Sequence, residues 1–342
     1  MIDRSKPSPS RIASLALVLL LIGALQAFPA TDSAAQDVAN YPTVVRKPVT
    51  IWSDGTRLAG DVFLPKGLAA DQKIPAIVLC HGWGGMKSHL NQRIAPQFSA
   101  AGYAVLTFDY RGWGESDGRL IVHGEMPKPD DKGNVTVQAQ LVREVVDPFD
   151  QEVDIDAAIS FFAGEPHVDA SRIGIWGSSL GGSHVIWRAG NDKRVKAVVS
   201  QVGGYFRSEQ MLDPAAQAAN DKTKTQRARG EIEPVPQGGL EQFKELKGSP
   251  VPERLNWFRP GDFIDNIDVP VQILQAEKEH YFKVADHGDW AYAKLKARNV
   301  PVEYHLMKGI DHYGIYRPPA LDEAMKLEIA FFDKYLKPAA KR

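Results

Sequence analysis

The sequence predicts an α/β fold in which a mostly parallel sheet carries helices on both faces. Three observations lead to this class. Short apolar runs typical of buried strands alternate with stretches of helical periodicity along most of the 342 residues. The composition is ordinary for a globular protein, with 44% hydrophobic and 24% charged residues. Polar and glycine-rich loops follow several apolar runs, at the strand ends where such sheets bind ligands.

The elements follow one another in a regular order. Residues 44–52 and 58–64 alternate as strands do, and the Ser-Asp-Gly-Thr sequence between them predicts a hairpin turn at the sheet edge. Apolar runs predict further strands over residues 74–80, 103–108, 173–176, 195–202, 269–275 and 302–307. Helical periodicity predicts helices over residues 90–101, 152–162, 180–189, 285–297 and 320–335.

Two irregular stretches interrupt this order within the main domain, residues 43–342. Residues 119–149 are polar and contain prolines, so we expect a loop insertion at one end of the sheet. Residues 203–267 are too long for a plain connection, and we expect a small lid or cap of helices and loops. Its aromatic residues Phe243, Trp257 and Phe258 either shape an acyl or aryl pocket or simply pack the lid.

Residues 1–35 have the layout of a secretory signal peptide, and residues 36–42 that of a linker. Three basic residues precede an apolar run over residues 12–27, and small residues then lead to a cleavage site expected after Ala35. An uncleaved membrane anchor is the alternative, although the run is shorter than the roughly 20 residues of a typical span. Cys80 is the only cysteine, which rules out an intramolecular disulfide and is compatible with a periplasmic or secreted protein.

A Gly-x-Ser-x-Gly motif at residues 177–181 carries the main functional hypothesis. It lies between the apolar run at 173–176 and the helical pattern that follows, so Ser179 would stand on a sharp turn from strand to helix with its hydroxyl exposed. The flanking glycines leave room for such a strained turn. The same pattern occurs around Ser116, but there it follows a loop and precedes no helix. We therefore expect Ser179 to be a nucleophile and Ser116 to have a loop role.

A serine nucleophile needs a base, and the base needs an orienting acid. Of the nine histidines, His312 is the best placed, in a flexible loop just after the last predicted strand. His81 more readily braces the glycine-rich loop that it begins, and His184 lies too far along the helix after Ser179. The acid should follow the penultimate strand, where Glu279 is favoured, with Glu277 and Asp286 as alternatives.

Negative charge that develops on a reacting carbonyl oxygen needs preorganised N–H donors. The backbone N–H of Leu180 opens the helix after the nucleophile, where the helix dipole assists. A second donor is expected from the backbone N–H of Trp83, within the His-Gly-Trp-Gly-Gly sequence at 81–85. A glycine-rich turn of this kind could instead cradle a phosphate, but its spacing matches neither common phosphate-binding motif.

These motifs together resemble the α/β-hydrolase superfamily over roughly residues 44–337. The resemblance is carried by residues 81–85, the Asp-Tyr-Arg-Gly-Trp-Gly-Glu-Ser sequence at 109–116, residues 177–182, the Glu-Lys-Glu sequence at 277–279 and Gly-Ile-Asp-His at 309–312. The chain is most similar to the dienelactone-hydrolase-like and Xaa-Pro-peptidase-like (cocaine-esterase-like) branch of exported hydrolases. The resemblance implies an eight-stranded sheet and a triad of Ser179, Glu279 and His312. The acid of this triad is usually Asp, and the sequence has Glu at the favoured position.

The expected function is an exported serine hydrolase that cleaves carboxylic esters through an acyl-enzyme, without a metal or organic cofactor. A peptidase or amidase with the same triad is the alternative, and a non-catalytic binding protein on this fold is a third possibility. The partner would be a small-molecule ester or amide. With a net charge of −1 and no basic tract, nothing points to nucleic acid. We expect no stable membrane association once the leader is removed, and the sequence does not determine the oligomeric state.

Overall fold

The computed structural model describes residues 40–210, 214–236, 238–239 and 244–337. The predicted signal peptide, the first part of the linker and the lid residue Phe243 lie outside the described residues. Within the described ranges, no helix is both long and apolar enough to cross a membrane.

One sheet of eight strands forms the centre of the protein, which confirms the predicted fold class. Its strands, numbered here in chain order, are β1 Val44–Ser53, β2 Thr56–Pro65, β3 Ile74–Cys80, β4 Ala104–Phe108, β5 Val168–Ser178, β6 Val195–Gln201, β7 Val271–Lys278 and β8 Val302–Asp311. Their spatial order is β1-β2-β4-β3-β5-β6-β7-β8. The pairs β1–β2 and β2–β4 are antiparallel, and every pair from β4 to β8 is parallel.

The first hairpin lies at the sheet edge, as the sequence predicts. Asp54 and Gly55 form its two-residue turn, with φ angles of 46° and 78°. Both angles lie in the left-handed region that tight turns between antiparallel strands require, and Asp followed by Gly is a residue pair that tolerates it. The turn residues therefore set the register of β1 against β2.

Six of the helices that the structure describes cover the two faces of the sheet: α1 Lys87–Arg93, α2 Ala95–Ala100, α3 Pro148–Ala163, α4 Leu180–Asn191, α7 Gly288–Ala297 and α8 Ala320–Leu336. Two more, α5 Pro214–Ala228 and α6 Pro252–Leu255, lie in the second irregular stretch. Successive strand residues point to opposite faces. In β3, Val78 and Cys80 pack with α3, α4 and α7, whereas Ile77 and Leu79 pack with α1, α2 and α8. Continuous apolar strands are thus required, because both faces are buried.

Two helices depart most from their predicted bounds. The helix expected over residues 90–101 is divided at Ile94 into α1 and α2, because Pro96 lies in the first turn of α2 and cannot donate the hydrogen bond that a continuous helix needs. The helix expected from residue 152 begins at Pro148. Asp147 caps it by accepting hydrogen bonds from the backbone N–H of Phe149 (3.1 Å) and Asp150 (3.3 Å).

The two irregular stretches contact each other at one end of the sheet. Residues 119–149 contain the antiparallel strands Leu120–His123 and Gln138–Leu141, where no regular pairing was expected. Val145–Val146 then pairs in parallel with Ser249–Pro250 of the second stretch. We call residues 203–267 the cap segment; its described part contains α5, α6 and the 3-10 helix Pro260–Asn266.

Candidate active site

Ser179 stands on a strained turn between β5 and α4. Its backbone has φ 58° and ψ −123°, which a residue with a side chain adopts only when the surrounding structure imposes it. The backbone N–H of Ser179 donates to the carbonyl of Gln201 on β6 at 2.9 Å, which holds the turn against the sheet. The hydroxyl consequently projects beyond the carboxyl ends of the parallel strands.

The glycines on both sides of Ser179 are needed for steric reasons. A Cβ on Gly177 would lie 2.2 Å from the carbonyl oxygen of Gly181, and a Cβ on Gly181 would lie 2.2 Å from that of Cys80. Both contacts are with backbone, which cannot move aside as a flexible side chain would. The turn therefore accepts no side chain at either position, as the motif predicts.

We expect Gly181→Ala to lower the free energy of unfolding by about 3 kcal/mol, because the new methyl group would force α4 away from β3. Gly164→Ala is the matched control, since this exposed glycine follows α3 and its added Cβ would lie 3.4 Å from its nearest neighbour, the carbonyl oxygen of Phe161. The control should change stability by less than about 1 kcal/mol. Urea denaturation measures both, and equal effects would contradict the steric explanation.

The structure brings the predicted base and acid to this serine. His312 Nε2 lies 3.0 Å from Ser179 Oγ, and His312 Nδ1 lies 2.6 Å from a carboxylate oxygen of Glu279. The side chains of His312 and Glu279 are 3% and 0% exposed, so water does not compete for these hydrogen bonds. The other oxygen of Glu279 accepts hydrogen bonds from the backbone N–H of His280 (2.9 Å) and Tyr281 (3.0 Å). Side chains from the ends of three strands are thus joined by two successive hydrogen bonds.

Glu279 is suited to keep the imidazole proton of His312 on Nδ1, the ring nitrogen that faces away from Ser179. Burial raises the pKa of its carboxyl, but the hydrogen bond and charge of His312, together with the two backbone N–H donors, lower the pKa below its ordinary value overall. The ionised carboxylate accepts from Nδ1–H, which leaves Nε2 free to accept the proton of Ser179.

Neither alternative acid forms a hydrogen bond with His312 in the described part of the chain. Glu277 accepts hydrogen bonds from Lys308 Nζ and from the backbone N–H of Gly309, both at 2.9 Å on the surface. Asp286 lies in a 3-10 turn, where its backbone carbonyl accepts from Arg207 Nη1 at 2.6 Å. Among the described residues, Glu279 is the carboxylate that forms a hydrogen bond with His312.

The residues just before His312 form a strand, which differs from the prediction. The stretch 308–311, expected to be a flexible loop, continues strand β8, and Asp311 pairs with Lys278 of β7 beyond a register shift at which the extra residues lie in β8. His312 is therefore the first residue after a paired strand. Sheet pairing, rather than an unpaired loop, positions His312 beside Ser179.

The other candidate residues have structural roles. Ser116 is buried, and its hydroxyl donates to the carbonyl of Asp109 at 2.6 Å and accepts from the backbone N–H of Ala59 at 2.9 Å. Complete burial lowers the pKa of His81 to about 4, so this ring is neutral at pH 7. His184 lies between Glu152 (2.7 Å) and Gln151 (2.9 Å), remote from Ser179 as expected.

Two backbone N–H groups lie where the sequence places an oxyanion hole. Leu180 is the first residue of α4, and Trp83 belongs to the glycine-rich loop after β3. That loop approaches Ser179 closely, since a Cβ on Gly82 would lie 2.8 Å from the Cβ of Ser179. Neither N–H donates to an acceptor in the described part of the chain. Both are therefore available to a substrate oxygen, and the helix dipole adds to the Leu180 donor.

Two cavities meet at Ser179 and His312. The first, which we call the cap-side cavity, has a volume of about 370 Å³ and is walled mainly by Phe206, Leu246, Leu255, Phe258 and Phe282. The second, the loop-side cavity, has about 450 Å³ and lies between the glycine-rich loop, α1 and the residues after His312. Such a pair of cavities can receive the two halves of a substrate whose scissile bond lies at the serine.

The aromatic residues that line the site are mostly ones that the sequence did not single out. Of the predicted cap aromatics, Phe258 lines the cap-side cavity, whereas Trp257 is 63% exposed. The rings of Tyr281 and Tyr313 stand edge-on to His312, with centroids 4.8 and 5.3 Å away. Their hydroxyls are 2.6 Å apart, and that of Tyr281 also donates to Glu245 of the cap segment at 2.9 Å. No motif marks these tyrosines, because their importance comes only from which loops the fold places together.

Two relatives share part of the sequence of this chain. A 130-residue segment is 40% identical to an uncharacterized 31.7 kDa protein in the traX-finO intergenic region of Escherichia coli, covering 38% of this chain and 37% of that protein. A 220-residue segment is 30% identical to the thiohydrolase aneE of Aspergillus aculeatus, covering 60% of this chain and 61% of that protein. The chain thus matches less than two thirds of the length of either relative.

A solved structure shares the fold, and a family model identifies the family. The alpha/beta hydrolase GrgF from Penicillium superposes with a TM-score of 0.64 over 85% of this chain and 99% of its own, at 19% identity, which is evidence of shared fold. The family model for the alpha/beta hydrolase fold matches residues 75–255, more than half of the chain. The protein is therefore a member of the alpha/beta hydrolase fold family.

Proposed function

We propose that the protein is a serine hydrolase that cleaves carboxylic esters through an acyl-enzyme. The observation that carries the proposal is the pair of hydrogen bonds that joins Glu279 to His312 (2.6 Å) and His312 to Ser179 (3.0 Å). A serine hydroxyl is a weak nucleophile until an oriented base accepts its proton. The strained backbone of Ser179 and its position where two cavities meet support the same role.

Each group has a step in the proposed reaction. Ser179 Oγ attacks the ester carbonyl carbon as His312 Nε2 takes its proton, and the oxyanion accepts hydrogen bonds from the N–H groups of Leu180 and Trp83. The bond from carbon to the leaving oxygen then breaks, and His312 returns the proton to that oxygen. Water attacks the acyl-enzyme by the same sequence, which releases the acid and restores the hydroxyl of Ser179.

Esters are favoured over amides by the leaving group and by the lining of the site. An alkoxide or phenolate departs more readily than an amine, which requires full protonation by His312. The cap-side cavity is mainly apolar, as expected for an acyl, alkyl or aryl group. Thioesters are a second candidate, supported by the relative named as a thiohydrolase at 30% identity.

Matched substrates with one acyl group test the proposal. We expect the kcat/KM for a 4-nitrophenyl butyrate ester to exceed that for the 4-nitroanilide at least about 100-fold. A butyryl thioester of N-acetylcysteamine, measured in parallel, decides whether thioesters are cleaved as fast as oxygen esters. Faster cleavage of the anilide would favour a peptidase or amidase. A folded protein that cleaves none of the three would contradict the proposal.

A further inference from the structure

The cap-side cavity contains one unusual charge. Arg259 is the only lining residue in the described part of the chain that is an Asp, Glu, Lys or Arg. It lies next to Phe258 in the cap segment, and the cavity that it enters also contains Ser179 and His312. A single cation thus shares an otherwise mainly apolar cavity with the proposed nucleophile.

Among the residues that the structure describes, Arg259 also differs from its neighbours in forming no ion pair. Other arginines near the cap form ion pairs, for example Arg254 with Asp147 at 2.7 Å and Arg227 with Glu253 at 2.9 Å. Within the described residues, no carboxylate forms an ion pair with Arg259, and the hydrogen bond found for its guanidinium is a long one of 3.3 Å from Nη1 to the carbonyl of Phe258. Most of its five N–H donors are therefore available to a ligand.

Arg259 is half-buried, so water solvates only part of its guanidinium. Burial lowers the pKa of the Arg259 guanidinium, and the charge of Asp262 opposes that shift only in part. The carboxylate of Asp262 is already engaged by Ser208, through its backbone N–H at 2.9 Å and its hydroxyl at 2.5 Å. A cation that is partly withdrawn from water beside apolar side chains loses hydration, and an anion that pairs with it offsets that loss. A bound anion would offset it here, so the cavity is better suited to a charged ligand than to a neutral one.

We propose that Arg259 binds a carboxylate carried by the half of the substrate that occupies the cap-side cavity. The substrates are then esters that bear a second, ionised carboxyl group, so the inference rests on the proposed function. A planar guanidinium fork matches a carboxylate in a bidentate manner. The lining contains no second cation among the described residues, which favours a singly charged group over a phosphate dianion.

Two pairs of matched esters test this proposal. In the first pair the acyl half differs: the mono-4-nitrophenyl ester of adipic acid is compared with its neutral terminal amide. In the second pair the leaving half differs: 4-(butyryloxy)benzoate is compared with 4-(butyryloxy)benzamide, both of them butyrate esters of the phenol oxygen. Each pair is measured with wild type, Arg259→Gln, Arg259→Lys and Arg229→Gln. Arg229 is the matched control because it is an exposed cap arginine paired with Glu231, outside the residues that line the cavity.

The relevant pair is the one whose varied half occupies the cap-side cavity. For that pair we expect the kcat/KM of the carboxylate ester, divided by that of the amide, to fall about 30-fold from wild type to Arg259→Gln. Arg259→Lys should keep part of that preference, and Arg229→Gln all of it. Because both esters of a pair are cleaved by the same enzyme population, the ratio does not depend on how much of a variant is folded. Esters that are cleaved with equal ratios in wild type and Arg259→Gln would overturn this proposal alone. If wild type cleaves none of the four esters, the proposed function fails, and this proposal fails with it.

Discussion

Ser179→Ala is expected to lower kcat for ester hydrolysis by about 10⁵- to 10⁶-fold. Without the hydroxyl, the proton accepted by His312 Nε2 has no source and no acyl-enzyme can form. The remaining rate would come from the N–H groups of Leu180 and Trp83 acting on a bound ester attacked by water, which retains roughly 10³- to 10⁴-fold acceleration in enzymes of this type. Steady-state kinetics with a 4-nitrophenyl ester measures the loss.

Ser116→Ala is the matched control, because Ser116 lies in the other Gly-x-Ser-x-Gly sequence of the same chain. Its buried hydroxyl bridges Asp109 and Ala59, so its removal should lower thermal stability while the folded enzyme keeps its kcat. A fluorophosphonate probe should label wild type and Ser116→Ala but not Ser179→Ala. Equal labelling of all three proteins would show that Ser179 is not the nucleophile.

Glu279→Gln is expected to lower kcat by about 10³- to 10⁴-fold with little change in structure. A glutamine has the same shape, but it is neutral and cannot stabilise the imidazolium that forms when His312 takes the proton. Its amide group can also donate to Nδ1, which would place the imidazole proton on Nε2, facing Ser179. The wrong tautomer cannot act as a base toward the serine.

Glu277→Gln is the control that the chain itself provides, two residues away and with the same change of charge. Since Glu277 contacts Lys308 and Gly309 at the surface, we expect its kcat to stay within about twofold of wild type. If Glu277→Gln impaired catalysis more than Glu279→Gln, the assignment of the acid would be wrong.

The stabilities of wild type and Glu279→Gln should also respond differently to acid. The pKa of Glu279 is lowered in the folded state, so its carboxylate stabilises the fold above the ordinary glutamate pKa. That contribution is lost as the pH falls through the lowered pKa. The difference in free energy of unfolding between wild type and Glu279→Gln should therefore shrink in acid, which urea denaturation at neutral and low pH measures.

Much of the fold was predictable because its strands are buried on both faces. Continuous apolar runs such as Ile74–Cys80 leave few alternatives to a parallel sheet with helices on each side. Element ends were less predictable. The start of α3 depends on Asp147 as a cap, and the division between α1 and α2 depends on Pro96, which are local signals outside the hydrophobic period.

The sequence by itself determined which serine and which histidine are the candidates. Of the two serines with this motif, Ser179 is the one between a predicted strand and a predicted helix. The residues on either side of the motif indicate that context. Export also rests on the sequence alone, as a prediction from residues 1–35 that the described structure does not include.

Only the tertiary structure decided between the two glutamates and revealed Arg259. Glu277 and Glu279 are alike in sequence, but β7 continues through Lys278, so Glu277 stays on the exposed strand and Glu279 turns inward beneath His312. Arg259 is about 80 positions from Ser179 in the chain and has no motif of its own. Both distinctions depend on where a side chain points after the chain has packed, and long-range packing is not encoded in any local pattern of residues.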